Sequence, residues 1–117
     1  MELFNLHRVK DCRTLVIVEG FFGAIRLYGS MRPRIPAVAL MGSSISDQQI
    51  GLLRTHCPAL RFITVCLDCD DAGRKASEHV AAALARHWWV RVATLGDGMQ
   101  PDTAPEADLL AALGRAR

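Results

Sequence analysis

An apolar, β-prone run ends at Asp68-Cys69-Asp70, and Asp71-Ala72-Gly73 then opens a long helical pattern. Residues i and i+2 at the carboxyl end of a strand point the same way, so Asp68 and Asp70 can aim their oxygens into one crevice. In open α/β sheets that edge is where ligands bind. Oxygen ligands so placed suit a hard cation such as Mg2+. A second carboxylate, Glu19, closes the apolar run Leu15-Val16-Ile17-Val18 and precedes a glycine. Acids at two strand ends suggest metal-assisted phosphate chemistry. The competing reading is that Asp70 and Asp71 only start a helix, where carboxylates complement the helix dipole.

Strand and helix patterns alternate four times. Leu15 to Val18 reads as a strand, Phe21 to Tyr28 as a short helix, Ala37 to Met41 as a second strand and Gly42-Ser43-Ser44 as a turn. Ser46-Asp47-Gln48-Gln49 has the form of a capping box, which starts a helix running through Arg54. Phe62 to Leu67 is the third strand and Ala72 to about His87 the longest helix. Its expected buried stripe is Ala72, Ala76, Val80, Ala83, Leu84 and His87. Trp88 to Leu95 reads as a fourth strand. Its adjacent tryptophans should point to opposite faces, one into the core and the other beneath a helix. A last helix is expected from Thr103, with Pro105 in its first turn and Leu109, Leu110 and Leu113 as its apolar positions. Short, near-continuous apolar strands joined by helices imply an α/β fold: a parallel sheet with helices on both faces. Such a sheet brings Glu19, Asp68, Asp70 and the loop from Asp97 to Asp102 to one edge.

The 117 residues fit one domain. A net charge of +2 is too small to imply a nucleic-acid partner by itself. Arg26, Arg32, Arg34 and Arg54 cluster locally, but a solvated face explains any one of them. Cys66 and Cys69 have C-x-x-C spacing, yet the histidines supply no obvious second ligand pair, so no zinc is expected. Nothing suggests a disulfide framework, which fits a reducing, cytoplasmic setting. The N-terminus lacks a signal-peptide pattern, and no segment approaches transmembrane length, so no membrane partner is expected.

Four blocks occur in an order that resembles a Toprim domain: Val18-Glu19-Gly20, Ala39-Leu40-Met41-Gly42-Ser43-Ser44, Leu67-Asp68-Cys69-Asp70-Asp71-Ala72-Gly73-Arg74-Lys75-Ala76, and Gly96-Asp97-Gly98-Met99-Gln100-Pro101-Asp102. The flavour is that of bacterial and phage (DnaG-type) DNA primases. The resemblance implies a Rossmann-like fold of about four mainly parallel strands. It places Glu19, Asp68 and Asp70 as catalytic metal ligands for Mg2+ or Mn2+, and matches Asp102 to a further acid of primases. It implies metal-dependent nucleotidyl or phosphoryl transfer on nucleic acid, with DNA or RNA and nucleoside triphosphates as partners. Gly42 and Ser43 expose backbone N–H groups that can touch phosphate or nucleotide, although a plain tight turn is equally compatible. Lys75 can meet a phosphate; an ordinary exposed helix lysine is the slightly preferred reading.

The chain departs from the resembled pattern in three ways. Gly23 stands where an aspartate usually follows the glutamate by four residues, and Gln100 stands where a further acid often precedes the proline. Zinc-finger and polymerase subdomains of the primase kind are missing from the sequence. Residues 1–13 therefore read as a lead-in from a larger protein and 14–117 as the Toprim domain, with a replicative helicase as a further candidate partner. Two alternatives stand beside primer synthesis: a non-catalytic or degenerate domain that binds metal, nucleic acid or a partner protein, and a nuclease.

Overall fold

A computed structural model describes residues 3–31, 33–67, 71–96 and 99–113. Its strands are β1 (Thr14–Val18), β2 (Ala37–Ala39), β3 (Phe62–Val65) and β4 (Trp89–Val92), and its helices α1 (Phe21–Ala24), α2 (Asp47–His56), α3 (Asp71–Leu84) and α4 (Glu106–Leu113). A wider π-type turn over Ile25–Ser30 continues α1. The strands form one sheet in the order β2-β1-β3-β4. Every pairing between them is parallel, with Ile17 opposite Val38 and Val65, and Ile63 opposite Val90. Parallel pairing brings the carboxyl ends of the strands to a single edge, as the sequence pattern implies.

Alternation along the strands divides the core in two. Leu15 and Ile17 join Val38, Ile63 and Val65 beneath Ile50 and Leu53 of α2 and Val80 and Leu84 of α3. Val16 and Val18 join Ala37 and Ala39 on the opposite face, against Ala24 and Leu27 of the first helical segment and Leu109 and Leu113 of α4. Apolar residues on both faces of one strand are what a doubly covered parallel sheet requires.

The capping box of α2 is complete. The Gln49 amide donates to Ser46 Oγ at 3.1 Å, and the Ser46 amide donates to Gln49 Oε1 at 2.9 Å. Ser46→Ala removes one half of this exchange. It is expected to cost about 1 kcal/mol, read as a lower melting temperature with an unchanged far-UV spectrum.

Residues 3–13 are part of the packed body. Phe4 and Ala39 exchange backbone hydrogen bonds of 3.1 and 3.2 Å across an antiparallel bridge, which covers the outer edge of β2. Leu3 and Val9 are buried with the α2 and α3 side of the core. Asn5 takes a left-handed conformation, with φ 75°, that asparagine tolerates better than most residues. Its Nδ2 donates to the Ala37 carbonyl at 3.0 Å.

Several expected details shift. β1 spans its apolar run and adds Thr14, whereas β2, β3 and β4 are shorter than theirs, because the sheet ends where partners end. The buried stripe of α3 is Gly73, Ser77, Val80 and Leu84, whereas Ala72 and His87 are exposed. Small residues face the sheet, and Ser77 Oγ donates to the Gly73 carbonyl at 2.8 Å, so its burial leaves no unpaired hydroxyl. Trp88 packs on the core, but Trp89 lies open to solvent at 75% exposure rather than beneath a helix. β4 is the edge strand, and Trp89 sits beside Phe62, itself 44% exposed. α4 begins at Glu106 because Thr103 and Ala104 donate instead to the Gln100 carbonyl in a preceding turn. Leu110 faces outward while Leu109 and Leu113 are buried. Among the described residues, no helix is long and apolar enough to cross a membrane.

Candidate metal centre

Glu19 follows the last residue of β1, at the carboxyl edge of the sheet. A cleft of about 180 Å³ opens there. Glu19, Gly20 and Gly23 line one side of it, and Gln100, Pro101 and Asp102 the other. Two carboxylates more than eighty positions apart in sequence thus face one space. Both residues are partly exposed, so the cleft is open to solvent. The donors lining it are carboxylate and amide oxygens, which fit a hard divalent cation and not a thiolate-loving metal.

Asp68 and Asp70 lie outside the described residues, as do Cys69 and Asp97. The described chain leaves β3 through buried Leu67 and resumes at Asp71, the first residue of α3. Among the described residues no three histidine, cysteine, aspartate or glutamate side chains converge as a metal site. Glu19 and Asp102 are therefore the described part of the expected ligand set.

The turn after β2 lies beside Glu19. The Met41 amide donates to the Glu19 carbonyl at 2.8 Å. Met41 holds a left-handed backbone with φ 61°, which is unfavourable for a residue with a β-carbon and recurs where surrounding structure enforces it. Gly42 and Ser43 follow on the exposed surface of this turn. Lys75 is exposed on the second turn of α3. Phe22, 61% exposed, stands at the rim of the cleft with its ring against Phe21, the centroids 4.2 Å apart.

Gly23 explains how closely the two sides of the cleft meet. A β-carbon there would lie 3.2 Å from Pro101 Cβ and 3.3 Å from Val18 Cγ2. The missing side chain is thus matched by a loop that has closed onto α1. Arg26, noted from sequence only as one of several clustered arginines, takes part in the same contact. Its Nη1 donates to the carbonyl of Pro101 at 3.2 Å and to that of Ala104. No spacing rule flags this residue, since its partners are main-chain atoms some 75 positions away. Of the other clustered arginines, Arg34 stacks over Tyr28 at 5.4 Å and Arg54 is exposed on α2, while Arg32 lies outside the described residues.

None of the described thiols lines the cleft, and Cys66 is buried in the core just after β3. Cys12 precedes β1 and Cys57 caps α2, and Cys57 Sγ donates to the Val9 carbonyl at 3.6 Å. A hydrogen bond to Cys57, helped by burial, pushes the Cys12 thiol well above its ordinary pKa.

Residues 16–104 match the sequence profile of the Toprim-like family. The DNA primase of Mycoplasma genitalium is 40% identical over 75 residues, which cover 63% of this chain and 12% of that protein. The DNA primase of Pseudomonas aeruginosa is 31% identical over 115 residues, covering 92% of this chain and 17% of that protein. A crystal structure of a DNA primase domain from Pseudomonas aeruginosa superposes with a TM-score of 0.75 at 25% identity, over 99% of this chain and 38% of that one. The chain thus spans less than a fifth of the length of these curated relatives.

Proposed function

Because the chain belongs to the Toprim-like family, we propose that it is the metal-binding catalytic module of a DNA primase-like protein. The observation that carries this reading is the pairing of Glu19 with Asp102 across one cleft at the carboxyl edge of a parallel sheet. Glu19, Asp68, Asp70 and Asp102 would hold Mg2+ or Mn2+. Bound there, the ion would polarise a phosphoryl oxygen and ease deprotonation of an attacking hydroxyl. The chain's own part is to collect carboxylates from separate segments onto one rigid edge. The sheet fixes Glu19, the turn at Met41 holds its main chain, and the closed loop presents Asp102.

DNA or RNA and nucleoside triphosphates are the proposed partners, in the cytoplasm. Polymerase and zinc-finger subdomains and a replicative helicase are further proposed partners of the domain. The exposed backbone of Gly42 and Ser43, beside Glu19, is the proposed contact for phosphate; Lys75 on α3 is a second.

Gly23 and Gln100 favour a second reading, a domain that binds metal or nucleic acid without turnover, because each removes an acid from the family's set. Template-directed incorporation of labelled ribonucleotides by the complete protein, compared with its Glu19→Gln variant, separates the two. The proposal expects incorporation to fall by at least 100-fold in the variant, with the fold retained. Equal incorporation by both proteins, or none by either, rejects the catalytic reading. Cleavage of labelled DNA without synthesis would instead make the domain a nuclease.

A further inference from the structure

We infer that Arg26 is a positioning residue that sets the Asp102 carboxylate for metal binding, an inference that rests on the metal reading above. Among the described residues, the loop carrying Asp102 pairs with no strand. Within it the Met99 amide donates to the Gly96 carbonyl at 2.9 Å, and the Thr103 and Ala104 amides donate to the Gln100 carbonyl at 3.1 and 2.8 Å. Contact with the rest of the fold comes through Met99 packed on the core, through Pro101 beside Gly23, through buried Ala104, and through the Arg26 guanidinium. The two carbonyls that Arg26 binds belong to Pro101 and Ala104, so they bracket Asp102 in the chain. One planar, charged group therefore fixes the main chain on both sides of the proposed ligand. Charge-assisted hydrogen bonds of this kind are about twice as strong as neutral ones.

The Gly23 contact and the Arg26 contact act together. Without a side chain at position 23, Pro101 reaches α1, and this brings the loop carbonyls within range of a guanidinium less than one helical turn further on. The residue that leaves the family's acid set is thus linked to a device that orders another acid. A metal ligand must be held within about 0.5 Å of its productive place, and loss of an outer group that orients a ligand typically weakens metal affinity by about 10–100-fold.

Charge alone predicts the opposite result. An arginine near a cation site repels the cation, so removing it should tighten binding if electrostatics dominated. Both bonds leave the one nitrogen Nη1, so Arg26→Ala removes both charge and donor, whereas Arg26→Lys keeps a charged donor but loses the planar, pre-organised guanidinium that holds it in place. The test is Mn2+ titration of wild type and both variants, followed by electron paramagnetic resonance of free Mn2+. Amide exchange at Thr103 and Ala104 is measured on the metal-free proteins. The inference expects Arg26→Ala to bind Mn2+ about tenfold or more weakly, with faster exchange at those two amides. Arg26→Lys should lose affinity by a smaller factor. Unchanged or tighter binding by folded Arg26→Ala overturns the inference while leaving the metal reading intact. Failure of the wild type itself to bind Mn2+ overturns both, and faster exchange in Arg26→Ala would then identify a purely structural tie.

Discussion

Gly23→Asp is expected to destabilise the domain by about 2–4 kcal/mol, although it restores the acid that the resembled sequences carry at this position. The new β-carbon would meet the Pro101 ring at 3.2 Å and the Val18 side chain at 3.3 Å. Val18 is 1% exposed on a central strand and has nowhere to move. Relief must come from the loop, which would draw away from α1 and stretch the Arg26 contacts. The carboxylate itself would enter a buried position close to Glu19, where like charge and lost hydration add to the steric cost. Gly23→Ala separates these causes. It carries the same β-carbon contacts but no charge, and a helical alanine returns about 1 kcal/mol relative to glycine. Its loss should be distinctly smaller than that of the aspartate variant. Chemical denaturation of the three proteins gives the comparison directly; an aspartate variant as stable as the wild type would show that the loop is not closed as described.

The layered core was the most legible part of the fold. Strand patterns such as Leu15-Val16-Ile17-Val18 are apolar on both faces, and only a sheet covered on both sides accommodates them. Ser46 and Gln49 also carried their local structure openly, because a capping box is made by residues three apart. Strand order was harder to read. Trp89 looked like a residue to be buried, yet its burial depends on β4 having a neighbour on its outer side, and that is a property of the whole sheet. The α3 stripe was displaced for a similar reason. Hydropathy ranks alanine above glycine and serine, whereas burial falls on Gly73 and on Ser77, whose hydroxyl is satisfied by the Gly73 carbonyl.

At the candidate site, the carboxylates announced themselves through their place at strand ends and in the following loop. Their supports did not. Arg26 acts on two carbonyl oxygens, groups that every residue possesses, so its role exists only once the loop and α1 are brought together. Gly23 read as a lost acid, and the structure shows it also as a point of close approach. The strained Met41 likewise has no sequence signal, since left-handed turns are normally expected at glycine or asparagine.

Removal of Asp68 and Asp70 together is expected to abolish divalent-metal binding. The two residues follow β3 in the sequence and, with Glu19 and Asp102, would make up four carboxylates around one ion. A hard cation binds through the number and charge of its oxygen ligands, so halving the set should reduce affinity far beyond the effect of any supporting residue. Stability should respond in the opposite direction or hardly at all, because removing clustered like charges relieves repulsion in the metal-free protein. The direct measurement is calorimetric titration of Mg2+ and Mn2+ into the wild type and into Asp68→Ala/Asp70→Ala, with folding of both checked by circular dichroism. A metal centre at this sheet edge predicts saturable binding by the wild type and none by the folded double variant. Equal binding by the two proteins, or no binding by the wild type, would contradict it.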